Sequence, residues 1–331
     1  MYVKTERASQ GMGAWGLTPW VLLFVLIILP YVLQVFDADY YLGFVRRILI
    51  VSMAAVSLNM LVGYGGMVAL GHASFVGVGA YAVAALTHEG VVSVWSLIAA
   101  AMAASAVMAA ITGLIVLRTR GVFFIMVSMA CAQLLYYLAV SLRIYGGDDG
   151  YNLPAALELG FGWTNMDDAI LYWFVLAFAV ACFIGLNHVL NSRFGIALSA
   201  ARDNEARMTA LGYPVYWIRL AAFILAGTMA GLSGALLITH NQFVTPGVMH
   251  WLQSANLVVM VILGGLGYRW GGVVGVVIWL LLEEFLRQIT THWHWPLGLI
   301  LIAIVLVAPK GLCSLRIAPW LGRKQEERSH D

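Results

Sequence analysis

The chain has 331 residues, of which 62% are hydrophobic and 10% are charged, and its formal net charge is +2. A soluble globular chain carries about 45–50% apolar and about 25% charged residues, so these charges are too few to coat a water-facing surface. The composition therefore excludes a soluble enzyme and a disordered chain, and it predicts a polytopic membrane protein.

Ten apolar stretches are predicted to cross the membrane, because a spanning helix needs about 20 mostly apolar residues. In chain order they are 17–36, 46–62, 67–86, 93–117, 121–141, 168–190, 216–240, 253–267, 271–290 and 295–308. The first is longer than a signal-peptide core and no small-residue cleavage pattern follows it, so it is interpreted as a retained span. We expect an all-α fold in which residues 1–331 form a single transmembrane domain.

The basic residues orient these spans, because Lys and Arg are enriched in cytoplasmic loops. If residues 1–16 lie in the cytoplasm and the spans alternate, the tail 313–331 is cytoplasmic as well. The inside segments then hold 14 of the 18 basic residues, namely Lys4, Arg7, Arg118, Arg120, Arg193, Arg202, Arg207, Arg219, Arg269, Lys310, Arg316, Arg323, Lys324 and Arg328. Most acidic residues fall on the other side, which favours the same topology.

The stretch 63–79 is apolar but rich in glycine, which favours a broken helix. Glycine weakens a helix by about 1 kcal/mol relative to alanine, and broken helices often line a transport path. Close packing is the alternative, because Ala69, Ala73 and Gly77 form a face of small residues. The candidate path residues are Asn59, Gly63, Gly71, His72, Ser74 and Gln133. For His72 the competing interpretation is a hydrogen-bonded core residue, and for the amides of Asn59 and Gln133 it is contact between helices.

The polar segment 191–215, between the sixth and seventh spans, is predicted to contain a short helix on the cytoplasmic side. Asp203 is a suitable N-cap, and Glu205 lies in the first turn beside the positive end of the helix. Gly212 fits the position that ends a helix, and Pro214 prevents its continuation. About eight residues between these signals make two turns, which is too short to cross a bilayer.

Two roles are open for this short helix. It could lie on lipid headgroups, or a cytosolic partner could grip it. Arg202, Glu205 and Arg207 offer charges of both signs, which suits specific pairing better than attraction to lipid.

Later spans carry two further patterns. The seventh has two ribbons of small residues that indicate close helix contact, within this subunit or with a partner: Ala222, Ala226, Ala230 and Gly234, and Gly227, Gly231 and Ala235. In the ninth, Glu283 and Glu284 precede Arg287 by about one turn, which predicts a local ion pair. The alternative is that these carboxylates form a gate or contact a substrate ammonium group.

Several motifs resemble those of ABC importer permeases. The run from Gly195 to Gly212 is similar to the loop that forms their coupling helix, although Arg207-Met208 stands where the family often has Ala-Ala. The sequence LNMLVGYGGMVALGHASF at 58–75 resembles a signature of branched-chain amino-acid permeases, and so do segments 120–124, 242–246, 261–267 and 308–312. Because these motifs occur in the same order as in that family, the chain resembles the M-type (LivM-like) subunit of the Liv importers.

This resemblance implies a permease subunit of an ATP-driven importer for branched-chain amino acids in the bacterial inner membrane. It implies four kinds of partner: a homologous H-type permease, two cytosolic ATPase subunits, a periplasmic binding protein and membrane lipid, with no nucleic acid. The residues implied to couple the chain to the ATPases are Arg202, Asp203, Glu205, Arg207 and Gly212. ATP and Mg would be bound by the ATPase subunits, because this chain has no GxxxxGK[ST] phosphate loop. No cofactor, metal ion or catalytic residue is expected here.

Other functions remain open at this point. The substrate could be urea, an amide or another amino acid, since related permeases serve those compounds. An ion-coupled secondary transporter would need carboxylates within its spans that face the interior of the bundle. Glu283 and Glu284 are the only candidates. A membrane-embedded enzyme would need a clustered acid, base or metal set, and none stands out.

Overall fold

The computed structural model describes residues 24, 26–31, 39–153, 168–308 and 311–314, and its elements are numbered from Asp39. The helices are α1 (Asp39–Asn59), α2 (His72–His88), α3 (Val94–Val116), α4 (Val122–Ser141), α5 (Asp168–Asn191), α6 (Arg193–Asp203), α7 (Glu205–Ala210), α8 (Val215–Asn241), α9 (Trp251–Gly264), α10 (Gly271–Ile289) and α11 (His294–Val307). Residues 26–31 are also helical. Two short strands, β1 (Tyr151–Asn152) and β2 (Phe243–Val244), pair antiparallel with Tyr151 opposite Val244.

Helices occupy the second to tenth predicted spans, as α1–α5 and then α8–α11. Five described helical stretches are long and apolar enough to cross a membrane: Tyr40–Tyr64, Val94–Val116, Val122–Ser141, Asp168–Asn191 and Val215–Asn241. α9 and α11 are apolar but have only 14 residues each. The all-α prediction is confirmed for the described residues. The predicted end 1–16, nearly all of the tail 313–331 and much of the first span lie outside them.

α8 packs against α1, α2 and α3 in the core of the bundle. Its small residues allow a very close approach, since a Cβ added to Gly234 would lie 1.9 Å from the carbonyl oxygen of Val76. A Cβ added to Gly231 would lie 2.2 Å from Oγ of Ser105. The small-residue ribbons predicted on the seventh span therefore pack inside this chain, against α2 and α3.

The break predicted in the glycine-rich stretch lies between α1 and α2. α1 continues as a π-helix over Met60–Tyr64, and residues 65–71, called here the glycine connector, are not helical. The predicted span 67–86 therefore starts too early, because its residues 67–71 belong to the connector. Gly66, just before them, has a φ of 68°, which suits glycine and not a helix.

Side chains of other helices satisfy the backbone where α2 begins. The N–H of Leu70 donates to Oγ of Ser128 on α4 (3.2 Å), and that of Ala73 donates to Oγ of Ser254 on α9 (2.9 Å). In an apolar bundle an unpaired backbone N–H would be costly, so these hydroxyls allow a helix to start inside the protein.

Candidate functional site

The loop between α5 and α8 folds into two helices, α6 and α7. The prediction that Asp203 caps a single helix is wrong, because Asp203 is the last residue of α6 and Asn204 is the N-cap of α7. Asn204 has an extended backbone (φ −156°, ψ 94°), and its Oδ1 accepts the N–H of Arg207 at 2.9 Å. Asp and Asn are equally good N-caps, so the sequence alone does not decide whether residue 203 or residue 204 takes the non-helical backbone of the cap.

The other end of α7 is where the sequence predicts it. Gly212 has a φ of 84°, its N–H donates to the carbonyl of Thr209, and the N–H of Tyr213 donates to the carbonyl of Met208. This pair of bonds is a Schellman motif, which ends a helix and satisfies its last carbonyl groups. Met208 is buried against the bundle, so α7 is short but held at both ends and on one face.

Glu205 joins α7 to two neighbouring parts of the bundle. Its Oε1 lies 3.0 Å from Nη2 of Arg120, just before α4, and its Oε2 lies 2.9 Å from Nη1 of Arg219 on α8. Arg120 has 81% of its side chain exposed and Arg219 has 22%. The side chain of Glu205 is thus fixed from both sides, and one of the two cations faces solvent.

An open hollow of about 540 Å³ lies over this ion-pair network. Its lining residues are Arg120, Glu205, Ala206, Thr209 and Ala210. Its lining combines small side chains of α7 with charges of both signs, so the hollow can accept a side chain from another protein. Asp203 and Arg207, the other predicted coupling residues of this helix region, are exposed beside it.

Arg202, also predicted to face a partner, is exposed but reaches toward the bundle. Its Nη1 donates to the carbonyl oxygen of Gly63 in the π-helix that ends α1. Arg202 does not line the hollow. The structure therefore brings one predicted coupling residue into contact with one predicted path residue.

Asn59 and Gly63 lie where α1 meets the turn between α9 and α10. Asn59 is 2% exposed, donates from Nδ2 to the carbonyl of Tyr268 (2.8 Å), and accepts the N–H of Gly267 at Oδ1 (3.1 Å). A Cβ added to Gly63 would lie 2.5 Å from the backbone nitrogen of Gly267. Both residues therefore serve close packing in this structure.

Gly71, His72 and Ser74 are packed just as closely. A Cβ on Gly71 would lie 2.3 Å from the carbonyl oxygen of Ser128, and Oγ of Ser74 donates to the Gly71 carbonyl at 2.6 Å. His72 is fully buried, with Nε2 2.8 Å from Oγ of Ser57. These contacts match the packing alternative, and a role in translocation stays a prediction.

Gln133 on α4 differs from the other predicted path residues. It is half-buried, and its buried Oε1 has no hydrogen-bond partner in the part of the chain that the structure describes. None of the other predicted path residues donates a hydrogen bond to this oxygen. A group outside the described residues can therefore still bind it.

A cavity that sequence reasoning missed lies between α1, α5, α8 and α10. Its volume is about 320 Å³, and its lining is mainly apolar, with Met53, Phe183, Met229 and Val273 among its residues. Ser52 also lines it, and its buried Oγ lacks a partner among the described residues. None of the predicted path residues lines this cavity. Its apolar lining residues look like those of any span, so the sequence carries no signal for it.

The end of the bundle opposite α7 holds its own ion pairs. Glu283 lies 2.7 Å from Arg287, which confirms the predicted local pair, and 3.5 Å from Arg47. Arg46, which is 5% exposed, pairs with Asp168 at 2.8 Å, and the sequence did not predict that contact across 122 positions. Among the described residues, no three His, Cys, Asp or Glu side chains come together as metal ligands.

Comparison with known proteins gives a family match over most of the chain. The family described as branched-chain amino acid transport system / permease component matches residues 40–308. Two relatives, from Salmonella typhimurium and Escherichia coli, are named high-affinity branched-chain amino acid transport system permease protein LivM. Each is 26% identical over 280 residues.

The alignments with those two proteins cover 78% of this chain and 66% of each relative, so the chain spans just under two thirds of their length. A Methanocaldococcus jannaschii protein named probable branched-chain amino acid transport permease protein LivH is 27% identical over 195 residues, covering 53% of this chain and 61% of that protein. No solved structure matches the chain.

Proposed function

This chain belongs to the family of branched-chain amino-acid transport permeases, and from that premise we propose that it is the permease subunit of an ATP-driven importer. It translocates branched-chain amino acids that a periplasmic binding protein delivers. The observation that carries this proposal is α7, a short, exposed helix held rigidly at one end of a bundle of apolar helices.

The geometry of α7 suits docking by an ATPase subunit. The Asn204 cap and the bonds at Gly212 fix both ends of the helix, so a force applied to it moves it as a unit. The hollow beside Glu205 offers a shape and two signs of charge for a protein partner. ATP and Mg belong to that partner, and closure of two such ATPases would shift the permease between its inward-open and outward-open states.

A homologous H-type permease completes the proposed transport unit within the lipid bilayer. The chain is similar both to proteins named LivM and to one named LivH, which supports a pair of related subunits. Each would contribute its own α7-like helix to one of the two ATPases.

The charge distribution supports an inner-membrane orientation with α7 in the cytoplasm. Arg120, Arg202 and Arg219 lie together at the α7 end of the bundle. Glu205 pairs with two of these three arginines, so this end keeps an excess of positive charge. At the opposite end Asp168 pairs with Arg46, and Glu283 pairs with Arg287. Both termini of the chain are then cytoplasmic under the rule that basic loops stay inside.

Glu205→Arg tests the docking role in the reconstituted complex of both permeases, the ATPases and the binding protein. The substitution places a third cation between Arg120 and Arg219, so we expect the ATPases to bind weakly and amino-acid uptake to fall about tenfold or more. Uptake of radiolabelled leucine and co-purification of the ATPases are the measurements. The control is Glu89→Arg, an exposed residue just past the end of α2. Full uptake by the Glu205→Arg complex would argue strongly against docking at α7.

A further inference from the structure

α6 touches the break between α1 and α2 with two side chains on one face. Leu198 is fully buried, and its Cδ1 would lie 3.6 Å from a Cβ added to Gly65. Arg202, one turn further along, donates from Nη1 to the carbonyl oxygen of Gly63. A Cβ on Gly66 would lie 2.8 Å from Cγ of Arg202. Residues four positions apart share a helix face, so α6 presents an apolar contact and a charged one to the same target.

That target departs from regular α-helix. The π-helix Met60–Tyr64 gives way to the glycine connector, and only then does α2 begin. π-helical turns occur often at functional sites, and a few residues at the end of an element commonly act as hinges. Gly63 therefore lies at a candidate hinge between α1 and α2, where the regular α-helix has already given way.

α6 is also tied directly to α7. Asn204 alone separates the two helices, and its N–H donates to the carbonyl of Ala200 in α6 (3.0 Å). Arg219 holds Glu205 of α7 and also donates to the carbonyl of Ala201 in α6 at 3.4 Å. Displacement of α7 must therefore move the end of α6 that carries Arg202.

We propose that Arg202 is a positioning residue that links α7 to the hinge between α1 and α2 through its bond to Gly63. This rests on the proposed function, in which an ATPase moves α7. Arg202 then acts after docking: its guanidinium group transmits the movement of α7 into the membrane helices. A docking residue would line the hollow beside Glu205, whereas Arg202 contacts the π-helix.

The test uses the complete complex in liposomes, with Arg202→Met to remove the donors and Arg202→Lys to keep the charge and one donor. The matched control is Arg193→Met, an exposed arginine at the other end of α6, about 14 Å away along the axis. We expect the Arg202→Met complex to keep its ATPase subunits and its basal ATP hydrolysis. Its leucine uptake should fall roughly tenfold, which is a typical size for coupling between sites, with partial recovery in Arg202→Lys.

A second measurement does not depend on the substrate. Spin labels at Glu89, past α2, and at Gln288, near the end of α10, should report a distance that changes with nucleotide in the wild-type complex and not in Arg202→Met. Both positions are exposed. The change should persist in Arg193→Met. The link is supported if the distance change is lost in Arg202→Met but kept in Arg193→Met.

Three results overturn the link: Arg202→Met transports as well as Arg193→Met, it sheds its ATPase subunits as a docking variant would, or it keeps the distance change. A wild-type complex that shows the distance change, and loses it in Arg202→Met, but takes up no branched-chain amino acid overturns the proposed substrate and supports the link. The two proposals therefore fail in different measurements.

Discussion

Asn59 joins two segments of the chain that lie 208 positions apart. Its amide bonds the carbonyl of Tyr268 and the N–H of Gly267, so one buried side chain satisfies two backbone groups of the turn between α9 and α10. The sequence predicted contact between helices as one of two roles for this residue. The partners were not predictable, because nothing in the local pattern around Asn59 refers to a turn so far along the chain.

Asn59→Ala should lower the free energy of unfolding by about 1–3 kcal/mol, because it leaves the Gly267 N–H and the Tyr268 carbonyl unpaired in the interior. Chemical unfolding in detergent micelles measures this loss. Gln253→Ala, which removes an exposed amide on α9, should change stability by less than about 0.5 kcal/mol. An Asn59→Ala protein of unchanged stability but with a higher KM for amino-acid uptake would instead mark Asn59 as part of the path.

At the scale of elements, the end of α7 depends on the backbone conformation of Gly212. Gly212 adopts a φ of 84°, in the left-handed region that favours glycine, and nothing lies within 4 Å of where its Cβ would be. The cost of a side chain at this position is therefore one of backbone conformation and not of crowding.

Gly212→Ala should destabilise the protein by about 1–2 kcal/mol, through the left-handed conformation that alanine must adopt. Gly185→Ala is the matched control, since Gly185 lies inside α5 with the same open space, and helical alanine is preferred to glycine by about 1 kcal/mol. Thermal unfolding of the two variants should shift in opposite directions. Equal shifts would contradict the role assigned to the Schellman motif.

The sequence predicted most elements, but it missed α6. Apolar length located the spans, and the Gly212-Tyr-Pro214 pattern located the end of α7. α6 mixes polar and apolar residues and is too short to stand out as a span, and it is held by burial of residues such as Leu198 and Ala201 against the bundle. Tertiary packing of this kind stabilises short helices that local propensity alone would not. The start of α2 at His72 depends in the same way on Ser128 and Ser254 from distant helices.

At the scale of the whole molecule, a separate set of ion pairs lies at each end of the bundle. The α7 end holds the Arg120–Glu205–Arg219 network, and the other end holds the pairs around Arg46 and Glu283. The sequence predicted that most basic residues lie on one side of the membrane and most acidic residues on the other, and this orientation stays a prediction. The sequence could not predict the apolar cavity near Ser52, which exists because helices α1, α5, α8 and α10 leave space between them.

This molecular organisation fits the proposed ATP-driven importer better than an ion-coupled transporter. Coupling to an ion needs a carboxylate that can gain and lose partners along the path. Glu283 is held by Arg287 and Arg47, and Glu284 accepts a hydrogen bond from the hydroxyl of Tyr40 at 2.7 Å. α7, by contrast, is exposed at one end of the bundle, where the proposed ATPase would dock.

The most direct test is leucine uptake into liposomes that contain this chain with or without its proposed partners. With the second permease, the ATPases and the binding protein, uptake should require ATP and should be insensitive to collapse of the proton and sodium gradients. Liposomes with this chain alone should take up no more leucine than empty ones. Uptake by the chain alone, driven by an ion gradient without ATP, would contradict the central claim.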